Sequence, residues 1–469
     1  MQTFKSFSSQ GKRTFPLLLT FLLLLTACGS VNNVPEDGII RLTYAVLNEK
    51  AANEARAEAR QFNLSHQDIK VDVVEYFNEN GRQGRDRLLT EIMAGQMPDI
   101  IHLGDDLSYN NSEDTASKLP YQSLARKGYL EDLWPYIEND PDLGREGILE
   151  APLRAAEVDG GLYTVFNKVT IRTTSIAERL AGSRESWTMA EMLEIFHAMP
   201  EEAIMFPGAI DRDFIFYTTF SGSIESYVDW NTGACSFTSD KFKSALEFVR
   251  SFPAKSIEAS DTAALDAERE ETADKIRGGL LMQYPSSISN PSHVQWMDAY
   301  LGYGGKVVFL GVPTEDGSSG SYYQLAGKPL AMSSACQYKE AAWEFLRSTL
   351  LPRYTDFSSL ERYADSFACI PINRSDYDLV VQASLRGKHS ADFMQLYGLP
   401  AVRLRNATRE EVDRFEALLN RTERINLYDE NIYNIAYEVA EAYFAGDKTL
   451  DEAAQLIQDR VTLYLDEGR

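Results

Sequence analysis

The sequence predicts an α/β protein made of two α/β halves. Between residues 39 and 103, short apolar runs alternate with helix-compatible segments, and such alternation is typical of a parallel sheet with crossover helices. Apolar residues recur at helical spacing through the last third of the chain, which indicates a helical end. A chain of 469 residues also has room for two lobes of ordinary size.

The first half of the chain contains three predicted strands, over residues 39–46, 71–76 and 98–103, separated by helices over 49–62 and 84–97. Gly95 suits the end of a helix, whereas Pro98 and Asp99 turn the chain into the third strand. Residues 130–137 and a helix over 147–157 follow. A Gly-Gly turn then joins two short apolar runs in residues 158–165, which we predict to be the first crossing between the two lobes.

The second half is predicted to contain helices over residues 187–199, 239–252, 337–351, 428–444 and 450–465. Strands are predicted over residues 279–284 and 306–313, and residues 314–321 have the composition of a loop. Gly446 is the predicted stop between the last two helices.

The N-terminus has the features of an export signal. Three cations precede an apolar run over residues 15–25, and this run is shorter than the roughly 20 residues that span a bilayer. It ends in LTACG at residues 25–29, which resembles the bacterial lipobox. We therefore predict a signal peptide over residues 1–27, a lipidated Cys28 and a polar tether to residue 38. The alternative is an ordinary secretory signal with a coincidental cysteine.

Charge and residue usage exclude several functions. The chain has 46 basic and 70 acidic residues, a net charge of −24, so nucleic acid is not an expected partner. Cys235, Cys336 and Cys369 have no paired spacing; one disulfide at most can form, and most are expected to be small buried hydrophobic residues. The five histidines have no ligand spacing, and no phosphate-binding loop or catalytic motif is present. We therefore expect no metal, no cofactor and no catalytic residue.

Four segments resemble family 1 extracellular solute-binding proteins, the sugar-binding components of ABC importers. They are LLTEIMAGQMPDII at 88–101, DGGLY at 159–163, GKPLAMSS with KEAAWEFL between 327 and 346, and YFAGDKTLDEAA at 443–454. The four occur in the family's order behind a lipobox. The chain departs from the family pattern directly after Tyr163.

The resemblance implies a two-lobed periplasmic-binding-protein fold of type II, with hinge closure on a ligand between discontinuous lobes. Residues 39–158 plus 310–352 would form lobe 1, and residues 159–309 plus 353–469 would form lobe 2. The implied protein is a monomer on the extracellular face of the cytoplasmic membrane, held there only by its lipid. It would bind a carbohydrate, most simply an oligosaccharide, and deliver it to ABC permease subunits.

A sugar site needs hydrogen-bonding side chains and aromatic rings, which converge at a lobe interface. In the family, contacts come from the loop after the strand at 98–103, which here supplies Asp105, Asp106 and Tyr109. The alternative for the two aspartates is a helix N-cap pair.

The resemblance assigns the second lobe five further ligand-binding candidates. Asp213 and Phe216 occupy the place of the family's acidic and aromatic pair; the alternative is a surface loop and a core Phe. Tyr284, with Trp296 nearby, matches the family's cleft-facing aromatic residue, and its alternative is packing between strands. Tyr433 lies in an aromatic-rich helix start.

Three other functions stay open from the sequence. The same fold can bind a peptide or a polyamine, since a fold does not fix its function. The protein can also act as a sensor subunit that presents its closed form to a receptor. A secreted glycoside hydrolase would use paired carboxylates, although no pair among 70 acids stands out.

Overall fold

The computed structural model of the chain describes residues 37–77, 82–104, 118–208, 210–221, 223–230, 232–254, 261–314, 318–361, 368–387, 393–394, 396 and 399–467. The predicted signal peptide, Cys28 and most of the tether lie outside these residues. None of the helices within them has both the length and the apolar run needed to cross a bilayer.

The first sheet has four strands in the order β10-β3-β1-β2. They are β1 (Ile40–Val46), β2 (Ile69–Glu75), β3 (Ile100–His102) and β10 (Leu330–Met332). The three predicted strands are confirmed, and β1 is parallel to both β2 and β3. The fourth strand, β10, is antiparallel to β3 and was not predicted, because its pairing partner lies far away in the sequence.

The first lobe consists of this sheet and the helices that pack on it. These are α1 (Glu49–Ser65), α2 (Arg82–Met93), α3 (Tyr121–Arg126), α4 (Trp134–Asn139), α5 (Glu150–Arg154) and α12 (Lys339–Arg347). Helix α2 ends before the predicted residue 97 because Gly95 adopts a left-handed φ of 74°. Helix α5 is shorter than predicted because Leu149 and Val158 pair with Ile372 and Gly161 instead of continuing the helix.

The second sheet is built around β4 (Lys168–Ala177), the longest strand of the described residues, which was not predicted. Its antiparallel partners are β7 (Gln283–Ile288), β8 (Val307–Phe309), β9 (Tyr322–Leu325) and β11 (Ile370–Pro371). The strand predicted over 306–313 is confirmed at β8. The strand predicted over 279–284 was misplaced, because Gly279 (φ 68°) still belongs to the turn after the preceding helix.

The remaining elements belong to the second half of the fold. They are α6 (Glu178–Ala181), α7 (Met189–His197), α8 (Arg212–Phe220), a 3-10 helix (Ile224–Tyr227), β5 (Val228–Asp229), β6 (Ala234–Cys235), α9 (Asp240–Arg250), α10 (Thr262–Arg277), α11 (Pro291–Leu301), α13 (Phe357–Glu361), α14 (Arg374–Leu385), β12 (Phe393–Met394), β13 (Val402–Arg403), α15 (Arg409–Arg421), α16 (Glu430–Ala445) and α17 (Leu450–Glu467). Gly446 ends α16 in the left-handed conformation, as predicted.

Two large hydrophobic cores hold the chain together. The first core joins the first sheet to one end of the second sheet, with Leu42, Ile100 and Ile171 among its fully buried members. The second core lies among α7, α8, α9, α16 and α17, and includes Trp187 and Phe242. We call the elements of the second core, with the sheet end that they cover, the second lobe.

The chain passes between the two sheets along two adjacent segments. Val165 still pairs with Leu330 of the first sheet, whereas β4 begins at Lys168, so this crossing directly follows the predicted one. The return crossing lies between β9 and β10, where the Gly327 N–H donates to the Lys168 carbonyl at 3.0 Å.

We predicted that the chain returns to lobe 1 at residue 310, but the strand pairing places this return later in the sequence. Gly311 pairs with Gly320, and β9 then pairs with β4, so residues 310–314 and 318–325 stay with the second sheet. This pairing was not predicted, because residues 314–321 have the composition of a loop. Cys235, Cys336 and Cys369 are free thiols, and only Cys336 is fully buried.

Candidate functional site

A cavity of about 80 Å³ lies between α8 and the second sheet. Aromatic rings and neutral hydrogen-bonding groups dominate its wall, which includes Arg172, Thr173, Thr174, Phe206, Phe214, Tyr217, Thr218, Phe248, Gln283, Pro285, Gly311, Tyr322 and Gln324. Among the described residues that line it, Arg172 is the one charged side chain and there is no carboxylate. The cavity therefore suits a neutral polar group with an apolar face.

Helix α8 presents one of its faces to the cavity. The Asp211 carboxylate caps the helix by accepting from the Phe214 N–H at 2.9 Å. Positions 214, 217 and 218 then fall on one side of the helix, because residues three and four apart are neighbours on its surface. Ile215, Phe216 and Phe220 are buried in the second core.

The strands supply the polar part of the wall. The Arg172 guanidinium on β4 donates to the Gln324 amide oxygen on β9. The Thr174 hydroxyl donates to the Gly311 carbonyl at 2.6 Å, and the Thr173 hydroxyl accepts from Ser321 at 2.8 Å. These cross-strand bonds fix the polar groups before any ligand arrives, which is the preorganisation that a binding site requires.

A row of tyrosines extends from the cavity to the first lobe, and we call it the aromatic wall: Tyr217, Tyr433 and Tyr428. The ring centroids of Tyr217 and Tyr433 lie 6.5 Å apart with nearly perpendicular planes, and those of Tyr433 and Tyr428 lie 5.3 Å apart. Burial raises the pKa of the Tyr433 hydroxyl well above its usual value, so the hydroxyl stays neutral.

Two cations of the first lobe lie over aromatic rings of the second lobe. The Lys118 ammonium is 4.6 Å from the ring centroid of Tyr428, at the end of the aromatic wall. The Arg126 guanidinium, on α3, is 5.1 Å from the ring of Trp230, which follows β5. Both distances are within the range of cation–π attraction.

A third cation reaches the start of α16. Arg85, on α2, is only 7% exposed, and Glu430 is 5% exposed. The Arg85 Nη1 atom is 4.0 Å from Glu430 Oε2, and its Nη2 atom is 3.5 Å from the Asn431 side-chain oxygen. We call the contacts made by Arg85, Lys118 and Arg126 the interlobe clasp.

Three acids of the second lobe lie beside the clasp. The Asp429 N–H donates to Glu225 Oε1 at 2.6 Å, and the Tyr464 hydroxyl donates to Asp429 Oδ2 at 2.8 Å. Burial, with added repulsion from Asp429, raises the pKa of Glu225 to about 8. Burial also raises the pKa of Glu430 to about 7 and that of Asp429 above its usual range.

This cluster predicts a pH-dependent stability. Glu225 keeps its proton in the folded chain up to about pH 8, whereas the unfolded chain releases it near 4.5. The folded state binds more protons in this window, so the free energy of unfolding falls as the pH rises from about 4.5 to about 8. Glu225→Gln should be at least about 1 kcal/mol more stable than the parent at the upper end and about equal to it at the lower end. Urea unfolding across this range measures the difference. A constant difference at every pH would contradict it.

The sequence-predicted residues fall into three groups. Asp105, Asp106 and Tyr109 lie outside the described residues. Tyr284 lies between Gln283 and Pro285 in β7 but, because neighbouring strand residues point to opposite faces, it packs against the first core, as does Trp296.

Asp213, Phe216 and Tyr433 are brought together beside the cavity. Tyr433 belongs to the aromatic wall, and the Tyr437 hydroxyl donates to Asp213 at 2.9 Å. Phe216 is fully buried with its ring centroid 5.4 Å from that of Tyr433. Phe216 thus packs against the buried side of the aromatic wall, which agrees with the alternative that this residue belongs to the core.

The cavity residues Arg172, Tyr217, Tyr322 and Gln324 were not predicted from the sequence. Two signals were present. The Phe214-x-x-Tyr217 spacing gives an aromatic helix face, and residues 168–177 are rich in Val, Ile and Thr, which is typical of a strand. Nothing local to the sequence shows that this helix and these strands meet.

Comparisons with known proteins give the fold. The sugar-binding protein MalE from Xanthomonas citri superposes with a TM-score of 0.51 at 18% identity, covering 91% of this chain and 98% of that one. An ABC substrate-binding protein from Listeria monocytogenes in complex with cycloalternan has a TM-score of 0.46 at 16% identity, covering 91% and 99%. The likeness to MalE confirms the predicted α/β, two-lobed periplasmic-binding-protein fold.

At the level of sequence, an uncharacterized lipoprotein from Streptomyces antibioticus is 31% identical over 123 residues, which is 26% of this chain. The chain spans about a quarter of that relative's length, 24%. No family model matches the sequence.

Proposed function

We propose that the chain is the substrate-binding lipoprotein of an ABC importer, which captures a carbohydrate between its lobes and delivers it to permease subunits. Cys28 would carry the lipid and hold the protein at the extracellular face of the membrane. The observation that carries the proposal is the cavity beside the aromatic wall. Its described lining comes from the second sheet and the segments around it, so the first lobe would cover the bound sugar when the two lobes close on it.

The chemistry of the cavity favours a sugar. Pyranose rings offer an apolar face to Phe214 and Tyr217, and their hydroxyls can pair with the groups of Arg172, Gln283 and Gln324. Apolar walls with a few fixed polar groups are typical of small-molecule sites. The volume of about 80 Å³ is below the roughly 300 Å³ of such sites, so the cavity would hold only part of a sugar ring and the rest of the ligand would lie outside it. Within the aromatic wall, Tyr217 lines the cavity, whereas Tyr428 is 8% exposed and has the Lys118 ammonium over its ring, so a stacked sugar would contact Tyr217.

The alternatives receive less support. A polyamine needs carboxylates, and none lies among the described residues that line the cavity. The acids beside the clasp, Glu225, Asp429 and Glu430, interact with cations of the first lobe or with each other. A glycoside hydrolase needs two carboxyl groups facing its substrate, and the same lining offers no such pair.

A ligand screen tests the proposal. The full-length chain, in mild detergent, is heated with mono- and oligosaccharides, and with a peptide and spermidine as non-sugar arms. A saccharide at about 100 times its Kd should add roughly 2.7 kcal/mol to the free energy of unfolding, so the melting temperature should rise. We expect a rise with a neutral saccharide and none with spermidine.

Other outcomes overturn parts of the proposal. A shift with the peptide or spermidine alone removes the sugar and keeps the fold. Release of reducing sugar from a bound oligosaccharide would show a hydrolase. Extraction of the Cys28→Ala protein from cells without detergent, where the parent requires detergent, tests the anchor separately.

A further inference from the structure

The interlobe clasp lies apart from the cavity. Arg85, Lys118 and Arg126 come from three places in the first lobe: α2, the segment before α3, and α3 itself. They contact the second lobe at three places, the start of α16, Tyr428 and Trp230. None of the three cations lines the cavity. Three separate contacts between two bodies fix their relative orientation.

Arg126 is held in position by its own lobe. Its Nη1 atom donates to the Gln122 side chain at 2.8 Å, and its Nε atom lies 3.1 Å from Asp159 Oδ2. Asp159 belongs to the Gly-Gly turn of the first lobe. The guanidinium is therefore oriented toward Trp230 whether or not the lobes are closed, so closure immobilises few additional side-chain torsions.

The second-lobe partners are also fixed. Tyr428 packs on Tyr433 and is mostly buried, and Glu430 lies in the first turn of α16. Both surfaces of the clasp are thus preorganised, which lowers the free-energy cost of bringing them together. Apparent affinity scales with the fraction of protein in the binding-competent state, so contacts that favour closure raise the affinity for every ligand that both lobes contact.

We propose that Arg85, Lys118 and Arg126 are positioning residues that set the open–closed equilibrium, so that ligand affinity depends on side chains outside the ligand cavity. The effect on affinity rests on the proposed function. The effect on closure does not, because it is a property of the ligand-free chain.

The test removes two of the cations and keeps their apolar stems. Lys118→Met with Arg126→Met, in the full-length chain, should increase the radius of gyration measured by small-angle X-ray scattering without ligand. The Kd values for maltotriose and mannotriose, the probe sugars, should rise together by about 5- to 30-fold, because each cation–π contact is modest. Their ratio should stay as in the parent.

Arg154→Met is the matched control, since Arg154 is an exposed first-lobe cation that pairs with Glu150 on its own helix. Arg154→Met should change neither the radius of gyration nor the Kd values. Trp230→Leu, on the opposite lobe, should reproduce the opening, and adding Arg126→Met to it should open the protein no further at that contact.

The outcomes separate the two proposals. An increased radius with no binding of either sugar supports the clasp and rejects the probe sugars. An unchanged radius in the double variant overturns the clasp, as does a loss of affinity for one sugar alone, which would mean direct ligand contact.

Discussion

Gly311→Ala is expected to reduce the free energy of unfolding by about 3 kcal/mol and to abolish ligand binding in the cavity. Gly311 has a left-handed φ of 70°, and an added Cβ would lie 2.1 Å from the Gly320 carbonyl carbon. That neighbour is backbone, so the chain itself has to move. The Gly311 carbonyl also accepts from the Trp187 indole at 3.0 Å and from Thr174, so the movement disturbs both the second core and the cavity wall.

Gly304→Ala separates the two causes. Gly304 has a similar φ of 85°, but an added Cβ would meet no atom within 4 Å. We expect it to cost about 1 kcal/mol, the strain of the backbone conformation alone, and to leave binding unchanged. Urea unfolding monitored by tryptophan fluorescence measures both variants. If both variants lose the same free energy of unfolding, the close approach of residue 311 to Gly320 does not contribute to the loss in Gly311→Ala.

The fold was largely predictable because its signals are local. The first three strands alternate with helices in sequence, and Gly95 and Gly446 end helices where a left-handed residue is needed. The strand β4 was not predicted because its partners, β7, β8, β9 and β11, lie roughly 100 to 200 residues away in the sequence, and only their pairing identifies it as the centre of a sheet.

The site was less predictable for the same reason. Tyr433 was named because it stands in an aromatic-rich helix start, and it does belong to the aromatic wall. Tyr217 is not predicted, since an aromatic residue on a helix is equally typical of a hydrophobic core, and its neighbour Phe216 is indeed buried in the core. Only the packing of α8 against the second sheet decides whether Phe216 or Tyr217 lines the cavity. The clasp cations carry no sequence signal, because Arg and Lys are ordinary surface residues.

Tyr217→Ala is expected to weaken saccharide binding by about 30-fold, a loss of roughly 2 kcal/mol, because it removes an aromatic surface at the junction of the cavity and the aromatic wall. Tyr217→Phe keeps the ring and removes only the hydroxyl, so its Kd should rise about 5-fold at most. Isothermal titration with the saccharide that gives the largest thermal shift measures both, and the melting temperatures without ligand show whether either variant is less stable.

Tyr284→Ala distinguishes this cavity from the site expected on resemblance alone. Tyr284 packs against the first core, on the face of β7 opposite to Gln283 and Pro285. If the ligand occupies the cavity, Tyr284→Ala should cost stability while the Kd stays close to that of the parent. The reverse pattern, in which binding is lost with Tyr284→Ala and retained with Tyr217→Ala, would place the ligand on the other face of the second sheet. The two substitutions act on opposite faces of one sheet, so a single pair of titrations decides which face binds.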